Sequence, residues 1–502
     1  MRNIIIKSFS AVFLLFFGYV FAVSLLEICG NSDKASELIV SLILTVLILA
    51  AAVFVYRRLS LLEDKLDVKT LNKIFVIVAL VMLALQIVFI ILLGYKPISD
   101  SRYVDTAARN FACTGSFDNM YDGIEDHNKY FSRFPNNWCI LMLLSFIYRA
   151  FYLIFGSVPG SSYAVINLIA IHLAVFFMFL TAREIFKRKS DVVFSLFIIL
   201  VLPVMYLYSP ILYTDTLSMP FVAAAVYCFI RFMRSKKTSA QILWALLTSL
   251  LVGFGYSIKG SVGVLMVAFA IYMFLKRKVV RAISVTALLA AAIVLFNSLV
   301  FSLGLSLGIS NEKKLEKYRM PTIHWVMMGM VGDGGFNKDE FRYTISFKSY
   351  DEKIAADKER IKEHINNYDL KGFSDHIRKK TAFTWSDGKY YSYHHLKSAE
   401  NKPLRYFVNN GKKFGALCSA IHFCMLFLML ISFLHGFTKR HIDLMFMIRM
   451  LVFGLGLFLL IWETRSRYLI NFVPLFVLVS ADGMRCLNAL IARLDKRSSI
   501  KN

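Results

Sequence analysis

The chain has 502 residues, 57% of them hydrophobic and 15% aromatic, and a mean hydropathy of +0.59, far above the range of soluble globular domains. Its net charge of +25 does not point to nucleic acid, because most basic residues sit in short clusters at the ends of apolar runs, as a cytoplasmic bias of Lys and Arg dictates. Composition therefore excludes a soluble enzyme and describes an all-α polytopic membrane protein.

The first apolar run, 4–26, lacks a small-x-small cleavage site before Glu27 and reads as a retained anchor rather than a signal peptide. Further runs of roughly 16 to 24 residues, enough to cross a hydrocarbon core, occur at 38–56, 73–94, 162–181, 191–208, 216–234, 240–257, 261–276, 281–304, 413–436, 443–461 and 467–486, giving about 12 transmembrane helices. Basic clusters at Arg57/Arg58/Lys65/Lys69/Lys73, Arg183/Lys187/Arg188/Lys189, Arg231/Arg234/Lys236/Lys237, Lys276/Arg277/Lys278/Arg281 and Lys439/Arg440, with the tail after Arg485, belong in the cytoplasm. If all of them are inside, parity keeps one more apolar run, 136–157, from crossing. It is aromatic-rich and interrupted by Arg149, as befits a helix lying at the outer headgroup level. The seven cysteines show no metal-ligand or paired spacing; Cys228, Cys418, Cys424 and Cys486 lie in apolar runs as small buried hydrophobes.

The chain divides into 1–94, N-terminal transmembrane helices; 95–160, a first extracytoplasmic loop with juxtamembrane helices; 161–304, a transmembrane core; 305–412, a small α+β extracytoplasmic cap; and 413–502, C-terminal helices and a cytoplasmic tail. In the cap, Ser349-Tyr350-Asp351-Glu352 is a capping box that opens a helix to about Asn366, with Ile354, Ile361 and Ile365 on one face. The glycine-rich stretch 329–335 lacks the strand–turn–helix setting of a phosphate loop and reads as a flexible turn. The patch of His394 and His395 beside Tyr390, Tyr391 and Tyr393 resembles a sugar-binding aromatic patch, but a solvated loop is the better reading.

Charged residues at membrane boundaries carry the functional signal. Asp100 opens the polar interruption 95–135, Asp215 begins an apolar run, Lys259 stands alone between two apolar halves, and Glu463, Arg465 and Arg467 interrupt the last pair of runs. An unpaired ammonium at Lys259 would cost several kcal/mol unless it met an anion or water, or reached the outer headgroups. Asp215 serves equally well as the N-cap of the helix it precedes, and Glu463 with Arg465 or Arg467 as a structural ion pair. An enzyme on the extracytoplasmic face has no nucleotide pool, so an activated donor must arrive on lipid. A sugar on a polyprenyl phosphate requires a cationic clamp for the phosphate, a carboxylate for the acceptor proton and an apolar groove.

Asp100-Ser101-Arg102-Tyr103, the following Tyr130-Phe131-Ser132-Arg133-Phe134-Pro135-Asn136-Asn137, Asp215, Lys259 and the segment Glu463 to Tyr468 occur in an order that resembles the GT-C membrane glycosyltransferases. The resemblance is to the branch of protein O-mannosyltransferases and the lipid A aminoarabinose transferase. Pro321-Thr322-Ile323-His324-Trp325-Val326-Met327-Met328-Gly329 is similar to a segment of its Gram-positive bacterial members. The resemblance spans about 95–486 and implies a GT-C-like bundle that transfers a sugar, with inversion, from a polyprenyl-phosphate donor to a polysaccharide, lipid or protein of the cell envelope at the plasma membrane. It implies Asp100 as general base, Lys259, Arg465 and Arg467 on the donor phosphate, and Arg102, Tyr103, Asp215, Glu463, His324 and Trp325 in acceptor binding or positioning. Many members carry a second acid after the first; Ser101 stands there in this chain. No cofactor is required and no metal ligand is assigned, although a divalent metal stays open. A lipid-linked sugar flippase is the alternative, but its paired broken helices are missing: only the break at Lys259 is visible.

Overall fold

The computed structural model describes residues 2–30, 35–118, 127–439 and 441–501; Arg440 and residues 119–126 of the first polar interruption lie outside the described residues. Among the described residues the regular structure is helical and contains no strand. Eleven helices are long and apolar enough to cross a membrane, and Gly260–Leu275 is a shorter apolar helix. Local signals set their limits. Val68–Leu93 is opened by Asp67, whose carboxylate accepts from Thr70 N at 2.6 Å, and is closed by Gly94 in the left-handed conformation (φ 59°), as cap chemistry requires. Val46, Phe54, Ile77, Leu80 and Ile91 point outward, each more than half exposed, and form lipid-facing surface that only a bilayer would cover.

Inside the bundle, Phe17 stacks on Phe433 at 4.1 Å and Phe229 on Phe269 at 3.9 Å. Where Thr238–Ile258 crosses Val279–Ser306, a β-carbon at Gly253 would lie 2.8 Å from the Ala292 backbone; the missing side chain lets two membrane helices approach closely. Remote from the functional end, Tyr56 donates to Asp191 at 2.6 Å, and Arg449 and Ser432 both donate to Asp482 at 2.6 Å. These ties lie among helices that carry the basic clusters.

Three expectations about the architecture change. The run 191–208 is not one span: Lys189–Val201 stops before Leu202-Pro203, and Val204–Leu207 is a single turn. Proline lacks the N–H that would continue the first helix, and its ring restricts the residue before it. The cap is not α+β but wholly helical among its described residues, with Glu312–Tyr318, Ile323–Met328, Lys338–Ser346, Tyr350–Asn366, Leu370–Trp385, Ser392–His395 and Lys402–Asn410 as its α-helices. Finally, the stretch 329–335 is a docked loop. A β-carbon at Gly329 would sit 2.7 Å from Ile461 O, Glu463 N donates to Trp325 O at 2.8 Å, and Thr464 N donates to Gly334 O at 2.8 Å. Its glycines allow close backbone approach rather than free motion.

The capping box opens Tyr350–Asn366 as its residues dictate. The packed side of that helix, however, carries Lys353 and Asp357, while Ile365 is 52% exposed. Polar pairing inside the cap outweighs the isoleucine stripe. His324 Nδ1 lies 2.8 Å from Thr344 Oγ1, which donates to Asp357 at 2.6 Å. Burial pushes His324 down to about 3 and Asp357 up to about 6.

The helix Trp138–Phe155 is long enough to span, yet both of its ends meet one rim of the bundle. At its start, Trp138 Nε1 donates to Phe131 O at 2.9 Å and the indole stacks on Phe301, near the C-terminal end of Val279–Ser306. Towards its end, Tyr148 donates to Asp105 at 2.7 Å and Arg149 to Ala112 O at 2.6 Å. The turn after it accepts from Arg109 at Val158 O, 3.0 Å, beside Tyr163, whose hydroxyl donates to Tyr95 O.

Candidate active site

Four short departures from helix meet at that rim. The first is the start of Ser99–Thr114, where Ser99 takes a left-handed φ of 52° and Asp100 falls in the first turn. The second is the turn Thr214–Leu217. The third is Lys259, whose extended backbone (φ −152°, ψ 118°) ends Thr238–Ile258. The fourth is the extended Glu463–Arg465 segment leading into the 3₁₀ helix Ser466–Phe472.

Lys259 turns inward. Its ammonium pairs with Asp215 and lies 4.5 Å from the Tyr468 ring centroid, and the Lys259 and Asp215 side chains are 12% and 2% exposed. Reaching for the headgroups is therefore ruled out, and Asp215 is not an N-cap: its carboxylate is taken by the lysine, with Arg467 Nη1 4.0 Å from its other oxygen. Arg467 also lies over the Tyr213 and Tyr468 rings, at 5.5 and 5.2 Å. Glu463 is 3.8 Å from Arg465 Nε and accepts from the Tyr468 hydroxyl at 3.1 Å. Burial raises the Glu463 carboxyl, against the lowering effect of Arg465 and Arg467, and Asp100 adds to the rise.

Asp100 joins this cluster through a relay. Its Oδ1 accepts from the Tyr130 hydroxyl at 2.9 Å, Asn137 Nδ2 donates to the same hydroxyl at 2.8 Å, and the Tyr213 hydroxyl donates to Asn137 Oδ1 at 3.1 Å. Burial first, then the Asp100 charge, hold both phenols well above their ordinary range, so they act as hydrogen-bond donors. Tyr103 stacks on Tyr130 at 4.1 Å. Arg102 is exposed on the same helix.

A feature of direct chemical consequence is that Arg465 Nε and Arg467 Nε are both buried without a hydrogen-bond acceptor. Buried donors without a hydrogen-bond acceptor cost energy that an anion accepting from them would recover.

The loop before Ser392–His395 belongs to this site instead of standing in solvent. Arg465 Nη1 donates to the Tyr391 hydroxyl at 2.8 Å and its guanidinium lies 4.7 Å from that ring centroid. Asp387 Oδ2 accepts from Tyr391 N at 2.6 Å and from Ser466 at 3.0 Å, and Tyr208 donates to Tyr390 O at 2.6 Å. Of four non-glycine residues with positive φ among the described residues, three are Ser99, Tyr390 and Tyr391. Such backbone costs of order 1–3 kcal/mol each and persists where neighbours over-determine it. His395 is buried and held down to about 3, by burial and then by Arg467, so it is neutral.

The expected set therefore separates. Asp100, Asp215, Lys259, Glu463, Arg465 and Arg467 come together. Trp325 flanks them, half-buried and 6.2 Å from Phe134. His324 does not join: it is sealed in the cap with Thr344 and Asp357. The tyrosine–asparagine relay, Asp387 and His395 were not singled out by sequence as site residues, although Tyr130 and Asn137 stand in the motif quoted with Asp100. Another buried cation sits behind the site. Lys380 donates to Gly329 O, and burial lowers it to about 7. Among the described residues no group of His, Cys, Asp and Glu side chains is arranged to hold a metal.

The family described as "Conserved hypothetical integral membrane protein" matches residues 1–484. No curated protein matches the sequence. Among solved structures the chain is similar to ArnT from Cupriavidus metallidurans bound to undecaprenyl phosphate, at 11% identity over 83% of this chain and 78% of that chain, with a TM-score of 0.39.

Proposed function

We propose that this chain, which belongs to the conserved hypothetical integral membrane protein family, is an inverting glycosyltransferase that moves a sugar from a polyprenyl phosphate to a cell-envelope acceptor on the extracytoplasmic face of the plasma membrane. The observation that carries the reading is that the buried Arg465 and Arg467 Nε donors beside Lys259 have no hydrogen-bond acceptor, within one cluster that also holds Asp100. The resemblance of the ordered motifs from Asp100 to Tyr468 supports the same assignment.

In the empty cluster Asp215 and Glu463 face Lys259, Arg465 and Arg467, and Asp100 and Asp387 are tied in through Tyr130 and Ser466. Burial raises the Glu463 carboxyl, which weakens its competition with a sugar phosphodiester for Arg465 and Arg467. Arg465 and Arg467 then hold non-bridging oxygens, and Lys259 stabilises charge that builds on the leaving oxygen. The acceptor hydroxyl attacks the anomeric carbon, the bond from that carbon to the phosphate oxygen breaks, and Asp100 takes the hydroxyl proton. The polyprenyl phosphate leaves in the bilayer. Tyr130 keeps Asp100 oriented for this step.

The test is to combine the purified chain in lipid nanodiscs with a radiolabelled polyprenyl-phosphate sugar and an envelope extract. Label appearing in the acceptor together with free polyprenyl phosphate is the expected result. Flux of intact lipid-linked sugar across proteoliposomes without covalent transfer would overturn the reading in favour of a flippase.

A further inference from the structure

Beside the cluster, and outside it, lies an open cavity of about 670 Å³ lined by Tyr393, Lys397, Lys402, Arg405, Tyr406, Asn409, Asn410 and Pro403. No acidic side chain lines it. Glu400, the acid between its lysines in sequence, pairs instead with Lys96. The cavity is fixed to the rim: Glu400 N donates to Gly94 O at 3.1 Å and Asn401 N to Leu93 O at 3.3 Å, at the end of Val68–Leu93. Arg405 Nη1 is held by Lys397 O and Ala399 O, at 3.1 and 3.3 Å, so its guanidinium is oriented rather than loose. Asn409 Oδ1 is buried and lacks a hydrogen-bond donor, while Asn409 O accepts from Lys389 Nζ at 2.7 Å. Tyr393 contacts Tyr391 edge-on at 5.0 Å, and Tyr391 is the ring under Arg465. The cavity is thus linked to Arg465 through Tyr393 and then Tyr391.

We infer that this cavity is the acceptor subsite and takes a hydroxyl-rich phosphate ester, a polyol phosphate or phosphorylated glycan chain, with phosphate on Lys397, Lys402 and Arg405, a hydroxyl donating to Asn409, and carbon–hydrogen faces on Tyr393 and Tyr406. Three cations without a facing acid select an anion, and the fork of Arg405 suits phosphate. The buried Asn409 oxygen needs a donor, which an ionised phosphodiester group lacks and a hydroxyl supplies. The size falls within the range of specific small-molecule sites. This inference rests on the glycosyltransferase reading for its role, but its binding chemistry is measured without any donor.

The experiment uses the full chain in nanodiscs of neutral lipid, a fluorescein-labelled glycerol phosphate oligomer, and a labelled neutral dextran oligomer as control. Saturable, salt-sensitive binding of the phosphate oligomer alone is expected, weakened at least roughly tenfold in Lys397→Gln/Lys402→Gln/Arg405→Gln, with donor binding unchanged. Asn409→Leu is expected to weaken the polyol phosphate but not dimethyl phosphate, which has no O–H. Equal binding by wild type and the triple variant overturns the subsite, as does displacement of the oligomer by phosphatidylglycerol nanodiscs but not by soluble glycerol phosphate, which assigns the cavity to a lipid headgroup. If the oligomer binds through these residues and no sugar is ever transferred, the transferase reading fails while the binding site stands. If sugar is transferred but the acceptor KM ignores the triple substitution, the subsite fails and the transferase reading stands.

Discussion

Lys259 has two partners to satisfy, Asp215 in the empty site and, on the proposed mechanism, the donor phosphate. The two roles separate energetically. Replacing Lys259 by Met leaves the Asp215 carboxylate, 2% exposed, with only Arg467 Nη1 at 4.0 Å. Removing one partner of a buried pair costs about 3–5 kcal/mol, and the remaining guanidinium places the loss near the lower figure. Adding Asp215→Asn removes the orphaned charge, so the double variant is expected to recover most of that stability, since neutral replacements of buried pairs are often tolerated. Donor affinity behaves otherwise. Asp215→Asn alone removes a competing anion and should bind polyprenyl-phosphate sugar at least as tightly as wild type. Asp215→Asn/Lys259→Met loses a charge-assisted bond relative to that single variant, about 1.5–3 kcal/mol or roughly 10- to 150-fold in Kd. Thermal unfolding in detergent reads the first quantity, and quenching of intrinsic tryptophan fluorescence by donor reads the second. Equal donor affinity in the Asp215→Asn and double variants would refute the reasoning, because Lys259 would then serve Asp215 alone.

Tyr130→Phe removes the hydroxyl that donates to Asp100 at 2.9 Å while keeping the stack on Tyr103; transfer is expected to slow by roughly tenfold or more, the worth of one hydrogen bond to a charged group, with little change in donor Kd. For Glu463, burial raises the carboxyl and the two arginines only partly oppose it, so donor binding should weaken as pH rises from the ordinary carboxylate range through the raised value. The sign follows because the ionised carboxylate competes for Arg465 and Arg467. The stability advantage of the protonated form is lost over the same window, and Glu463→Gln should flatten a donor-Kd titration across it. For topology, a single cysteine at Ser374 should react with an impermeant maleimide on intact cells while one at Ser239, at the start of Thr238–Ile258 beside the basic link Lys236-Lys237, should not; the reverse order would invert the membrane sides.

Sequence carried the parts of this account that depend on chain-local physics. Apolar length located most of the spans, and charges at membrane boundaries singled out Asp100, Asp215, Glu463, Arg465 and Arg467, with Lys259 alone between two apolar halves, because a membrane makes each such charge expensive. What sequence did not carry was pairing over distance. The Lys259–Asp215 contact joins residues 44 apart and the Tyr130–Asp100 bond residues 30 apart, and neither spacing has a helical period to betray it. Tyr391 looked solvated because its loop is polar; its partners Arg465 and Asp387 come from other segments. His324 looked exposed to the site for the opposite reason, since the cap residues that enclose it, Thr344 and Asp357, bear no pattern relative to it. In the run 191–208, total hydropathy concealed the break that Pro203 makes. The cap misled through composition, because its mixed charge and aromatic content fit strands as well as helices, whereas Asn311, Asn337, Asp369 and Asn401 each accept from a first-turn N–H of a helix.

The measurement closest to the central claim is the rate of sugar transfer by Asp100→Asn. The substitution keeps the shape and the Tyr130 hydrogen bond and removes the base. Loss of a general base lowers the rate by about 10²- to 10⁴-fold, and the variant is expected to show that loss while binding polyprenyl-phosphate sugar as wild type does. Wild-type turnover by Asp100→Asn would contradict the assignment of Asp100, and with it the proposed mechanism.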